Sequence, residues 1–204
     1  ELAFKYRNPA MILADGAIGQ MMEKVVLAPQ KARRADAEIE AEYGSWACCG
    51  KGSRRERNIC TSLEMQSEKM EKINFHLNEK YKAIEAAEAR WEQIDCDDAD
   101  YVLVAFGSSA RICSATVELA RAEGIKVGLM RPITLYPFPS EPLAAMCRRG
   151  VKGFLSVELN AGQMVEDVRL AVDGKSPVAH YGRQGGMMFT PDEVLEALKS
   201  NFIK

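Results

Sequence analysis

Histidine is almost missing from this chain of 204 residues, which has 2, His76 and His180. The 6 cysteines, at 48, 49, 60, 96, 113 and 147, form no C-x-x-C pair. That leaves no ligand spacing of the zinc or iron–sulfur kind. It predicts a chain without a metal, with reduced thiols in a reducing compartment. Cys113 and Cys147 fall on predicted helices, where a cysteine is a small buried hydrophobe. G-x-G-x-x-G is absent, which argues against a dinucleotide site, and so is the G-x-x-x-x-G-K-[ST] of a phosphate loop. The lack of a G-x-S-x-G elbow weakens a hydrolase reading. No apolar run approaches the ~20 residues of a membrane-spanning helix, so no membrane partner is expected. A formal net charge of −2 leaves no basic field to draw nucleic acid. The opening residues, with Glu1, Lys5 and Arg7, do not make a signal peptide. They read instead as the end of a helix, ELAFKYRNP, with no initial Met, as in a piece of a longer chain.

What is present is a hydrophobic share of 47%, ordinary for a globular protein. The length suits one sizeable domain, or one domain plus a fragment. The most informative stretch is residues 101–137. An apolar run, Tyr101 to Phe106, meets Gly107-Ser108-Ser109 and then an amphipathic pattern with Ile112, Val117, Leu119 and Ala120. Gly124 stops that pattern, and a second apolar run, Val127 to Met130, follows. This reads as strand, helix, strand, and a parallel return through a helix requires helices covering the sheet.

The rest of residues 101–204 continues the alternation. The predicted strands are 101–106, 126–131, 153–158 and a short 178–181. The predicted helices are 110–123, 141–148, 163–172 and a closing one that begins at Thr190-Pro191-Asp192-Glu193. Thr190 suits the N-cap, Pro191 the first turn, and Glu193 completes a capping box. The pattern predicts a doubly wound, mostly parallel α/β sheet.

Ahead of this domain the signals are weaker. Residues 1–27 hold one predicted strand, Ala10 to Ala14, introduced by Asn8-Pro9. A lone α/β strand cannot bury both faces. It belongs to a domain whose other strands lie elsewhere, or it adds to the next sheet. Residues 28–100 are charge-dense. Their first part reads as a connector. A helix is predicted over 67–94, with Met70, Ile73, Leu77, Tyr81, Ile84 and Trp91 on one stripe. Such a helix packs on its own subunit or straps two domains or subunits together. The basic cluster Lys51, Arg54, Arg55 and Arg57 is a phosphate or acidic-partner site, or a solvated face.

Ligands of open α/β sheets gather at the carboxyl ends of the strands. Four residues fall there, Arg131, Glu158, Asn160 and Arg183, and are expected to share one rim. Glu158 and Arg183 are candidates for a charge pair. Gly107-Ser108-Ser109 reads as a tight turn with a Ser N-cap, or as a cradle for an anion. His180 reads as a packed histidine.

Three stretches together resemble the C-terminal part of the α subunit of 2-oxoacid:ferredoxin oxidoreductases. They are Ala14-Asp-Gly-Ala-Ile-Gly-Gln-Met-Met-Glu23, Gly128-Leu-Met-Arg-Pro-Ile-Thr-Leu-Tyr-Pro-Phe-Pro139, and Val157-Glu-Leu-Asn-Ala-Gly-Gln-Met-Val-Glu-Asp-Val168 with Tyr181-Gly-Arg-Gln-Gly-Gly186. The connector, with Gly44-Ser-Trp46, Lys51-Gly52 and the long helix after it, is most similar to the branched-chain, 2-oxoisovalerate type. The resemblance implies oxidative decarboxylation of a 2-oxoacid on thiamine diphosphate, acyl transfer to coenzyme A, and electron flow through iron–sulfur clusters of partner subunits to ferredoxin. It implies a β subunit that holds the diphosphate and its magnesium, with γ and ferredoxin-like subunits beside it, in an anaerobic or microaerobic cytoplasm. Residues 1–27 then correspond to the end of a pyrimidine-binding domain, and 101–204 to a transketolase C-terminal-like domain.

On this resemblance the chain holds no catalytic residue of its own and serves subunit assembly and site shaping. Arg131, Glu158, Asn160 and Arg183 then form a rim toward substrate, coenzyme A or another subunit. Asp15, Gly16, Gly19 and Gln20 are a family motif near the cofactor domain. Asp15-Gly16 has a superficial likeness to the metal-binding G-D-G of thiamine enzymes. Ala14 stands in place of its first glycine and no Asn-Asn follows, so it is rejected as a magnesium site. The alternatives are a 2-oxoglutarate-type enzyme of the same family, another thiamine-enzyme subunit with the same second domain, and a non-catalytic α/β module that binds an anion or a partner.

Overall fold

The computed structural model describes residues 1–48, 50–52 and 55–203. The chain divides into two compact units, Glu1–Met21 with Asn78–Lys204, and Met22–Leu77. The second unit holds the helix α3 (Asp36–Tyr43), in which Glu38 Oε2 accepts the Ala35 N–H, and the first half of α4 (Ser67–Glu88). Every residue from 21 to 42 is exposed, which is what a charge-dense connector with little apolar surface produces. Cys49 and Arg54 lie outside the described residues. Of the rest of the basic cluster, Arg55 donates to the carbonyl of Ala47 at 2.8 Å.

The first unit begins with α1 (Leu2–Tyr6) and α2 (Gly16–Gln20) and continues from the second half of α4. It then alternates β1 (Trp91–Ile94), β2 (Tyr101–Val104), α5 (Gly107–Ala122), β3 (Val127–Pro132), α6 (Ser140–Arg148), β4 (Gly153–Glu158), α7 (Met164–Val172), β5 (Val178–Gly182) and α8 (Pro191–Phe202). The sheet order is β1-β3-β2-β4-β5. The strands β2 to β5 pair in parallel, and β1 closes one edge antiparallel to β3. This is the mostly parallel α/β sheet that the alternating pattern predicts.

Alternation along β2 sorts the core into two layers. Leu103 joins Ala110, Cys113 and Val117 of α5 and Val194 and Leu198 of α8 on one face. Val102 and Val104 join Leu143 and Met146 of α6 and Val168 and Val172 of α7 on the other. With helices on both faces, strand residues of either parity are buried, so β2 reads as an unbroken apolar run and β4 is buried at every position, Ser156 and Glu158 included. At the start of α8, Thr190 Oγ1 accepts the Glu193 N–H at 3.2 Å and Glu193 Oε2 accepts the Thr190 N–H at 2.7 Å, the capping box read from the sequence.

Two elements differ from expectation. The helix predicted to run to 94 ends at Glu88, and residues 91–94 are β1. The open edge of β3 offers backbone partners that a longer helix would forgo: Ile133 and Thr134 both donate to the carbonyl of Arg90, and Thr134 Oγ1 accepts the Arg90 N–H. Trp91, counted on the helical stripe, is 42% exposed on that edge. The strand predicted at Ala10–Ala14 does not form. Its residues Met11, Ile12 and Leu13 are 82%, 94% and 62% exposed, and no strand among the described residues pairs with them. An apolar run is a strand only where a neighbour supplies the ladder.

Candidate functional site

In this sheet β2 sends its chain toward β3 on one side, while β4 lies on its other side. The carboxyl ends of β2 and β4 therefore flank the switch point of the fold, the place where open α/β sheets leave a crevice. A cleft of about 240 Å³ lies there, lined by Phe106 to Ser109 at the start of α5, by Glu158 to Asn160 after β4, and by Leu13, Asp15 and Ile18.

Asp15 is a double cap. Its Oδ1 accepts the Ile18 N–H at 2.8 Å, which starts α2, and its Oδ2 accepts the Ser108 hydroxyl at 2.8 Å, in the first turn of α5. These donors, Ile18 first and Ser108 next, hold the Asp15 carboxyl below its usual range. The Gly-Ser-Ser turn thus acts as a cradle whose anion is a side chain of the same chain. Its Ser N-cap is not observed: α5 begins at Gly107, and its N-cap position is Phe106 with no side-chain bond. Gly107 has φ +57°, a left-handed conformation that glycine adopts at no steric cost. Gly16 opens α2, and Gly19 and Gln20 close it on an exposed surface.

Glu158 is 1% exposed. Its Oε2 accepts the N–H groups of Gln163 at 3.0 Å and Met164 at 2.8 Å, and its Oε1 accepts Val165 N–H at 2.9 Å and Ser156 Oγ at 3.0 Å. Burial pushes its pKa up, but these donors, Gln163 foremost, outweigh burial and hold it below the usual 4.5. The carboxylate thus supplies the acceptor that the first turn of α7 lacks. Asn160 Oδ1 accepts the Gly162 N–H at 2.7 Å and shapes the loop between β4 and α7.

The expected charge pair between Glu158 and Arg183 is not formed. Arg183 bonds Glu193 of α8 at 3.0 Å, and its own N–H donates to the carbonyl of Glu158. The α7 N-terminus already satisfies Glu158, so the arginine finds a more exposed partner. Arg131 likewise turns to Glu92 on β1 at 2.9 Å, a cross-strand pair set by the register. The four rim residues lie at the carboxyl ends of parallel strands or just beyond them. Only Glu158 and Asn160 line the cleft. His180, read as a packed residue, sits against Gly162 and Gly182, with its buried Nε2 3.8 Å from Glu158 Oε1 and no hydrogen-bond partner. A Cβ at Gly182 would stand 2.3 Å from the Asn160 carbonyl, so only glycine permits this crossing.

A second group escaped the sequence reading. Glu88 Oε1 accepts Lys5 Nζ and Tyr6 Oη, both at 2.7 Å, and Oε2 accepts Arg90 at 3.3 Å. Lys5 first, then Tyr6, hold its pKa down to about 2. Its place one turn after Ile84 on the apolar stripe was the available signal. Glu88 lies beside a larger cleft of about 540 Å³ between residues 2–13 and the loop 132–137.

Among the described residues, no group of three or more His, Cys, Asp or Glu side chains stands close enough to hold a metal, and no helix is long and apolar enough to cross a membrane.

Comparison with known proteins gives a consistent picture. Residues 99–194 match the family model of pyruvate:ferredoxin oxidoreductase core domain II. Over 201 residues the chain is 43% identical to ketoisovalerate oxidoreductase subunit VorB of Methanothermobacter marburgensis, covering 98% of this chain and 54% of that protein. It is 27% identical over 222 residues to 2-oxoglutarate synthase subunit KorA of the same organism, covering 97% and 57%. The chain spans about half the length of the curated relatives it matches. Its fold resembles a solved 2-oxoglutarate:ferredoxin oxidoreductase from Magnetococcus marinus with 2-oxoglutarate, coenzyme A and succinyl-CoA bound. The TM-score is 0.64 at 22% identity, over 76% of this chain and 28% of that one.

Proposed function

We propose that this chain, which belongs with the 2-oxoacid:ferredoxin oxidoreductases, forms part of the α subunit of an enzyme that oxidatively decarboxylates a branched-chain 2-oxoacid of the 2-oxoisovalerate type to an acyl-CoA, with reduction of ferredoxin. The observation that carries the reading is the difference between 43% identity to the ketoisovalerate subunit and 27% to the 2-oxoglutarate subunit, each along nearly the whole chain. In this reading the first compact unit serves assembly and shapes a site completed by other parts of the enzyme, and its strand-end rim faces substrate, coenzyme A or another subunit. The partners are a β subunit, γ and ferredoxin-like subunits and ferredoxin, in the cytoplasm.

The family implies thiamine diphosphate with magnesium, and iron–sulfur clusters. The residues of this chain do not fit them. Asp15 spends its carboxylate on Ile18 and Ser108, and no further metal-ligating side chains gather beside it among the described residues. What the chain contributes is rigid: Glu158 fixes the start of α7, and Asp15 ties α2 to α5.

The test is a substrate comparison on the complete enzyme that contains this chain. With coenzyme A and ferredoxin supplied, 2-oxoisovalerate is expected to give a higher kcat/KM than 2-oxoglutarate. Preference for 2-oxoglutarate would replace this substrate by the alternative of the same family, and no activity with any 2-oxoacid would sink the reading.

A further inference from the structure

We propose that His180 is an acid-driven latch on Glu158: on taking a proton, its imidazole bonds the buried carboxylate and stiffens the start of α7 at the border of the cleft. The inference stands on this contact and does not depend on the oxoacid reading.

The geometry has three parts. First, His180 Nε2 is buried, stands 3.8 Å from Glu158 Oε1, and has no hydrogen-bond partner among the described residues. A buried polar atom without a partner is uncommon in a folded protein. Second, the carboxylate has no room for it. A carboxylate offers about four acceptor sites, and the N–H groups of Gln163, Met164 and Val165 with the Ser156 hydroxyl take them. A neutral imidazole is shut out. Third, glycine keeps the ring's surroundings open. A Cβ would stand 2.9 Å from Nε2 at Gly182 and 3.5 Å from it at Gly162. A move of less than about 1 Å brings Nε2 to ordinary N–H···O distance.

Protonation changes the competition. A bond from an imidazolium to a carboxylate is roughly twice as strong as a neutral one. Among the four donors Ser156 Oγ is a neutral hydroxyl that can turn away, and it lies opposite His180 in the register of β4 and β5. The three N–H groups of α7 are fixed by the helix. Protonated His180 therefore displaces Ser156, and Glu158 is held from β5 as well as from α7. Leu159 and Asn160, in the loop between Glu158 and α7, line the cleft, so the latch acts at its border.

The surrounding charges agree. Val178 packs on the α7 side of the sheet, and Ala179 and Tyr181 on the α8 side, so alternation sends His180 toward α7. β4 contributes Glu158. The first turn of α7 carries Glu166 and Asp167, and its last turn Arg169. Burial, then Glu166 and Glu158, push the Asp167 carboxyl up. Arg183 is paired with Glu193 of α8, and Lys175 with Asp173. The positive end of α7 opposes an imidazolium, but Glu158 already faces that end with its own charge.

The experiment is amide hydrogen exchange on the full chain, followed by NMR at about pH 5 and about pH 8, the range over which histidine changes charge. Glu158 stays ionised at both, because its donors hold it below 4.5. Protection factors of Gln163, Met164 and Val165, relative to Leu195 and Leu198 of α8, are expected to be ~3- to 10-fold higher at the lower pH, the effect of about one hydrogen bond. His180→Phe, which keeps a ring without a titrating nitrogen, is expected to abolish the difference, and His180→Gln decides the point if the first variant does not fold. His76→Gln, at the other histidine, is expected to retain it. Ser156→Ala vacates an acceptor site and is expected to raise protection at the higher pH toward the acid value. Equal protection at both pH values overturns the proposal. So does a difference that persists in a folded His180 variant, or a folded Ser156→Ala chain that behaves as the parent does.

Discussion

Glu158 Oε2 accepts the Met164 N–H at 2.8 Å, and that bond joins the last residue of β4 to the first of α7. The carboxylate is engaged by the first turn of α7, at the border of the cleft. Replacing Glu158 by Gln swaps one acceptor oxygen for an amide that cannot accept from an N–H group. Hydrogen bonds to a charged group contribute about 1.5–3 kcal/mol each. Glu158→Gln is therefore expected to lower the unfolding free energy by about 2 kcal/mol, read from a denaturant midpoint. An unchanged midpoint would show that the α7 N-terminus does not need this charge.

Glu88 makes the attachment of α1 sensitive to acid. Its folded pKa of about 2 lies below its usual 4.5, because Lys5 and Tyr6 bond its ionised form. A depressed carboxyl pKa favours the folded state above the unfolded value and loses that contribution as pH falls through the folded one. Amide protection in Leu2–Tyr6 is expected to hold above about pH 4.5 and to fade toward pH 2. Glu88→Gln is expected to show the faded pattern already at neutral pH. Hydrogen exchange read by mass spectrometry over residues 1–9 checks both.

Proteolysis separates the two units. Residues 21–42 are exposed throughout and include Lys24, Lys31, Arg33 and Arg34. Trypsin is expected to cut there first and to leave residues 101–203 intact at the same protease dose. Early cuts within 101–203 would contradict the packing described for that region.

Thiol reactivity follows burial. Cys48 and Cys60 are exposed, whereas Cys96 and Cys113 are buried. Burial pushes the Cys96 thiol up to about 11 and raises that of Cys113 further, so neither offers a thiolate near neutral pH. In the folded chain a disulfide reagent is expected to label Cys48 and Cys60 within its fast phase. Cys96 and Cys113 are expected to react only after denaturation, and peptide mapping identifies each site.

The rim residues show where reading a chain stops. Their position at strand ends follows from the strands, which are legible as apolar runs. Their partners do not follow. Arg131 faces Glu92 because β1 exists, and β1 was hidden in a helical period that Trp91 continued by coincidence. Arg183 faces Glu193 because α8 packs beside β5, a matter of three-dimensional approach. The cleft was partly visible, as a Gly-Ser-Ser turn after a strand and as Asn160 after Glu158. That Asp15 occupies the cradle was not, since 93 positions separate it from Ser108.

The sequence by itself determined the α/β class, the strands and helices of residues 101–203, the capping box at Thr190 and the family likeness, because each rests on local period, capping chemistry or colinear motifs. The tertiary structure alone decided the sheet order, the antiparallel edge strand, the loss of the strand at 10–14 and the partners of Glu158, Glu88, Arg131 and Arg183. Those depend on which backbone and side-chain groups meet across long separations. A hydrogen-bonding group takes the partner that the fold brings near, whatever its own stretch of sequence would favour.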